Sequence, residues 1–128
     1  MKKKHILLID DNKIDNYLSS YIISKNQLAE KTTIETSAVK ALELLKVLND
    51  SEFPDLIMLD LKMPAMDGFE FLDDLINFPV NKTESCIVVM VTSSNNQIDI
   101  NRSKEYPIIK KFINKPITLQ AFNEIINI

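Results

Sequence analysis

Residues 54–60 read Pro54-Asp55-Leu56-Ile57-Met58-Leu59-Asp60, an unbroken apolar run between two aspartates. A run this short and rich in branched residues, without polar alternation, suits a strand buried on both faces, as in a parallel sheet under helices. The same texture occurs on either side of it. His5-Ile6-Leu7-Leu8-Ile9 runs into Asp10-Asp11, and Cys86-Ile87-Val88-Val89-Met90-Val91 runs into Thr92-Ser93. Residues 31–36 alternate polar and apolar and predict a strand near a sheet edge, while residues 108–113 supply a last strand.

Between the strands the apolar residues recur every three or four positions, at Ile14, Leu18, Tyr21, Ile22; Ala38, Ala41, Leu42, Leu45; Phe69, Leu72, Leu75, Ile76; and Phe122, Ile125, Ile126. Each segment follows a capping residue, Asp11 or Asn12, Ser37, Asp67 and Thr118. Residues 95–106 are polar and loosely periodic and predict a short helix that stops before Pro107. The order is β-α repeated five times, which implies a doubly wound parallel sheet with helices on both faces. No linker, repeat or low-complexity tract divides the chain, so residues 1–128 are expected to form one domain.

Composition removes several function classes. The net charge of −3 gives no footprint for nucleic acid, and Lys2-Lys3-Lys4 is a solvated lead-in to the first strand. The apolar stretch after those lysines ends within a few residues at two aspartates, too early for a signal peptide or a membrane span, so a cytoplasmic location is expected. Cys86, the single cysteine, excludes an internal disulfide and reads as a buried, inert thiol. With one glycine, Gly68, a phosphate-cradling glycine-rich loop is excluded. His5 has no companion at metal-ligand spacing and reads as an ordinary strand histidine. Four methionines, Met58, Met63, Met66 and Met90, read as packing.

The strand ends carry the chemistry. In a doubly wound sheet ligands bind beyond the carboxyl ends of the strands, where Asp10, Asp11, Asp60, Thr92 and Lys115 would meet. Carboxylates crowded together raise one another's pKa unless a cation sits among them, and oxygen ligands without thiol or imidazole favour magnesium. Lys115 supplies a compact positive charge for a carboxylate or a phosphoryl oxygen. A carboxylate in such a place is a nucleophile suited to phosphoryl transfer. One of two tandem aspartates commonly caps the following helix, but two at the end of a buried strand exceed what capping needs.

These motifs, Leu8-Ile9-Asp10-Asp11-Asn12, then the run ending at Asp60, then Met63-Pro64-Ala65-Met66-Asp67-Gly68, then Val91-Thr92-Ser93 and Lys115-Pro116, resemble the receiver domain of two-component response regulators over essentially the whole chain. The resemblance implies a flavodoxin-like (βα)5 three-layer sandwich around a five-stranded parallel sheet. It implies Asp60 as phospho-acceptor, Mg2+ held by Asp10, Asp11, Asp60 and the backbone carbonyl of Lys62, and Thr92, Ser93 and Lys115 in contact with the phosphoryl group. Phe112 occupies the place of the family's aromatic switch residue, although an aromatic at a strand end also serves as core. Gly68 in an Asp-Gly pair suits a positive φ before a helix, Pro64 stiffens the same loop, and Lys115-Pro116 matches a bond that is cis in the family. Lys62 and Ser94 hold positions that vary among receivers and tune phosphate lifetime.

The implied partners are a sensor histidine kinase or a histidine phosphotransfer protein as donor and a downstream protein as target, with no effector domain in the chain and neither nucleic acid nor membrane involved. Output would pass through the face of the helix over 95–106, the last strand and the last helix, or onward along a phosphorelay. Residues 95–104 are a further candidate for partner specificity. A homodimer through that face is compatible with the resemblance and nothing in the sequence requires it. A haloacid-dehalogenase-type phosphatase, which also uses a nucleophilic aspartate, needs an Asp-x-Asp motif after the first strand, and this chain has adjacent aspartates there. A pseudo-receiver would lack an acidic residue, the threonine or the lysine, all of which are present.

Overall fold

A computed structural model describes residues 2–93 and 95–128. Five strands, β1 (Lys3–Ile9), β2 (Ala29–Glu35), β3 (Leu56–Asp60), β4 (Ile87–Thr92) and β5 (Ile109–Asn114), form one sheet in the order β2-β1-β3-β4-β5. Every pairing is parallel. The connections are α1 (Lys13–Lys25), α2 (Ala38–Val47), α3 (Gly68–Leu75), the single turn α4 (Val80–Thr83), α5 (Gln97–Ser103) and the closing α6 (Leu119–Ile126). None of the described helices is long and apolar enough to cross a membrane.

The continuous apolar runs divide by strand alternation. Leu7, Ile9, Ile57, Leu59, Val88 and Met90 face α2 and α3. Their neighbours Ile6, Leu8, Leu56, Met58, Val89 and Val91 face α1 and α6. β1, β3 and β4 therefore each contribute to two cores, which is why polar residues never interrupt β3 or β4 before their last position. The outer strands β2 and β5 are only half-buried, as the alternating residues 31–36 predict.

Caps act where the sequence places them. Asn12 accepts from the backbone N–H groups of Ile14 and Asp15, Ser37 from Lys40, and Thr118 from Ala121. Asp67 and Glu70 form a reciprocal capping box at the start of α3. His5 is buried and fully occupied, with Nδ1 2.8 Å from the Glu52 carbonyl and Nε2 2.7 Å from Thr33 Oγ1. Burial, aided by the Asp55 charge, pushes the Cys86 thiol up to about 12, so it remains protonated.

Two sequence expectations change. The turn α4 and the 3-10 turn Asp50–Glu52 lie in connections that periodicity left unassigned, being too short to carry a period. Most of the expected apolar stripe of α1 faces outward: Ile14, Leu18 and Tyr21 are exposed, as is Tyr17, while Ile22 is half-buried against the second core and Asn16 and Ile23 are buried. The Asn16 amide donates to the Asp10 carbonyl at 2.7 Å, and with Ile22 and Ile23 in the second core it sets which side of α1 meets the sheet.

Phe122 is fully buried and anchors α6 to the second core. Phe122→Ala is expected to lower stability by about 3–5 kcal/mol, read as a shifted urea midpoint with an unchanged slope.

Candidate functional site

The parallel register brings the strand ends level. Ile9 pairs with Leu59, Asp60 with Val91, and Thr92 with Asn114, so Asp10, Asp60 and Thr92 stand side by side at the carboxyl edge. One oxygen each from Asp10, Asp11 and Asp60 lies within 4.8 Å of the others. Asp10 and Asp60 are buried and Asp11 is exposed, so the cluster opens toward solvent on one side. The cleft beside it is lined by Asp10, Asp15, Leu18, Asp60, Lys115 and Ile117.

Lys115 reaches into this cleft from the segment after β5. Its backbone N–H donates to the Thr92 carbonyl at 2.8 Å, which extends the β4–β5 pairing one residue past the strand. Its Nζ lies 2.7 Å from Asp10 Oδ2, 2.8 Å from Asp15 Oδ2 and 3.7 Å from Asp60 Oδ1. Burial alone would lower the pKa of this ammonium, but the hydrogen bonds to Asp10 and Asp15 and the charge on Asp60 leave it raised. The Lys115–Pro116 peptide is cis.

Asp60 is 6% exposed, and its pKa is raised to about 7. Burial is the main cause and the neighbouring Asp10 carboxylate the second; Lys115 and the backbone N–H of Lys62 pull the other way. One ammonium therefore leaves the acidic cluster short of positive charge. A hard divalent cation fits the donor set, which is all carboxylate, with neither sulfur nor imidazole.

The other sequence candidates fall as follows. Thr92 is wholly buried, and Ser93 is exposed at the end of β4. Ser94 lies outside the described residues. The exposed Lys62 side chain pairs with Asp99 Oδ2 of α5 at 3.5 Å. Phe112 is half-buried and packs against the first core, which also contains Phe69 and Met90. Pro64 and Pro116 are exposed.

Gly68 requires a correction. It does not adopt a positive φ; in that loop the positive φ, 68°, belongs to Ala65. The glycine answers a different constraint, close approach of α3 to the end of β3. A Cβ there would sit 3.0 Å from the Asp60 carbonyl oxygen and 3.1 Å from Leu61 Cα, both backbone atoms. The Gly68 N–H donates to the Leu61 carbonyl at 2.9 Å across the same gap.

Sequence reasoning missed two residues of the site, Asp15 and Asn16. Asp15 stands in the first turn of α1, where an acidic residue is accounted for by the helix dipole, and Asn16 looks like any polar helix residue. Their spacing, five and six beyond Asp10, would have pointed to the cleft only once the phase of α1 was known.

Gly68→Ala is expected to push α3 off the strand end and cost about 1–3 kcal/mol in urea denaturation, although alanine favours helix over glycine.

A family model described as response regulator receiver domain matches residues 6–127. The chain is 31% identical over 105 residues to the response regulator Rcp1 of Synechocystis sp., covering 80% of this chain and 70% of that protein. It is 37% identical over 76 residues, 59% of this chain, to a protein-glutamate methylesterase/protein-glutamine glutaminase of Nitrosomonas europaea, and spans only 20% of that protein's length. The crystal structure of a two component response regulator from Cytophaga hutchinsonii superposes with a TM-score of 0.90 at 28% identity, covering 99% of this chain and 96% of that one.

Proposed function

The chain belongs to the response regulator receiver family, and from that premise we propose that Asp60 accepts a phosphoryl group from a phosphohistidine and so switches a protein-interaction face. The observation that carries this reading is the convergence of three carboxylates with the Lys115 ammonium 3.7 Å from Asp60. The donor is a sensor histidine kinase or a histidine phosphotransfer protein in the cytoplasm. A carboxylate oxygen of Asp60 forms the new O–P bond as the donor's N–P bond breaks. The imidazole leaves with that electron pair and takes a proton from solvent.

Asp10, Asp11, Asp60 and the carbonyl of Lys62 would hold Mg2+. When bound, the ion neutralises the crowded carboxylates and the phosphoryl oxygens. Lys115 stands where it can pair with a phosphoryl oxygen, and the buried Thr92 and the neighbouring Ser93 offer hydroxyl donors from the end of β4. The chemistry amounts to gain and loss of the protein's own phosphoryl group, with no turnover of a separate substrate.

The donor is read as docking on α1, because the exposed residues Ile14, Tyr17, Leu18 and Tyr21 form an apolar stripe that Leu18 continues into the cleft. Output is read as leaving by α5, β5 and α6 to a downstream protein, with Phe112 moving within its half-buried setting when Thr92 is drawn to the phosphoryl group.

Incubation with acetyl phosphate and magnesium is expected to add the mass of one phosphoryl group, and Asp60→Asn is expected to abolish the gain. A modified Asp60→Asn protein would sink the assignment. Lys62 is read as controlling access of attacking water to the phosphorylated aspartate, since its side chain lies exposed two residues further on. Lys62→Asn is therefore expected to change the dephosphorylation rate severalfold, and an unchanged rate removes that role.

A further inference from the structure

The Lys115 ammonium is held from the α1 side of the cleft, away from the acceptor. Asp10 and Asp15 lie at hydrogen-bonding distance, 2.7 and 2.8 Å, while Asp60 at 3.7 Å does not. Asp10 belongs to the carboxylate cluster, and its other oxygen accepts from the Asn12 N–H at 2.9 Å. Asp15 lies outside that cluster, on the rim, with its side chain 35% exposed. Its place is set by the start of α1, where Asn12 Oδ1 accepts from the Asp15 N–H at 3.1 Å and the Asn16 amide ties the next residue to the end of β1.

We propose that Asp15 is a positioning residue that keeps the Lys115 ammonium on the α1 side and competes with phosphorylated Asp60 for it. The inference rests on the reading of Asp60 as acceptor. A phosphoryl group there adds negative oxygens on the far side of the ammonium, and Lys115, with two of its three N–H donors on Asp10 and Asp15, is drawn toward them against the pull of Asp15. The Asp15 charge also repels the incoming group. Both effects disfavour the phosphorylated state, and both vanish when the charge is removed. At partial exposure the interaction is screened but not abolished. A purely structural Asp15, serving the dipole of α1, would alter stability alone.

The test uses the full chain with magnesium and beryllium trifluoride, a mimic of the phosphoryl group. Asp15→Asn is expected to bind the mimic about two- to fivefold more tightly, the size of one partly exposed charge pair. After loading with acetyl phosphate, where Asp60 forms the O–P bond and acetate leaves with the electrons of the bond broken, the variant is expected to lose its phosphoryl group more slowly by a similar factor. Asp15→Glu, which restores the charge, is expected to return both values toward wild type. Unchanged or weaker binding in Asp15→Asn, with or without a lower melting temperature, overturns the proposal. A measurement on the wild-type chain covers a variant that fails to fold: the Asp15 Cγ and Lys115 Nζ resonances are expected to shift together when the mimic binds, and an unmoved Asp15 overturns the proposal. A wild-type chain that takes up neither mimic nor phosphoryl group removes the acceptor reading, and this inference with it.

Discussion

Carboxylates from the ends of β1 and β3 repel one another across a cleft that water screens only in part, and a single ammonium stands against them. That imbalance organises the molecule's chemistry. It adds to the burial that lifts the pKa of Asp60 toward neutrality, holds Lys115 charged, and leaves room for a further cation of the hard, oxygen-seeking kind. The sheet exists in a form that sustains the tension: β3 is buried along its whole length, so the Asp60 side chain cannot escape to solvent by bending its strand.

Rigidity around the cleft comes from contacts that leave little slack. Gly68 lets α3 start against the Asp60 carbonyl, the capping box at Asp67 and Glu70 fixes that start, and the backbone of Lys115 is bonded to the last residue of β4. On the other flank Asn16 locks α1 to the carbonyl of Asp10. Backbone atoms on both sides of Asp60 are thus held by hydrogen bonds, whereas the Lys62 side chain is exposed and that of Phe112 half-buried.

The strands and the carboxyl-edge residues were legible because their signal is local. A doubly buried strand must be apolar throughout, so β1, β3 and β4 stand out, and the first polar residue after each marks the edge where ligands bind. The phase of α1 was not legible. Most of its apolar residues have helical spacing yet face solvent, because burial of Ile23 and the hydrogen bond from Asn16 together set its rotation. Asp15 was hidden for the same reason, and Lys62–Asp99 because nothing in spacing alone joins residues on separate elements. Gly68 was found for a wrong cause: the sequence pattern Asp-Gly signals a turn, whereas the need is for space against a backbone that only the folded sheet supplies.

An open five-stranded sheet ends in two edge strands, β2 and β5, and edge strands are the usual place for a passing strand to pair. Both margins carry charge, Glu30, Lys31 and Glu35 on one and Lys110 and Lys111 on the other. A neighbouring molecule that tried to extend the sheet would have to strip water from these groups, so the margins protect the folded chain from edge-to-edge aggregation.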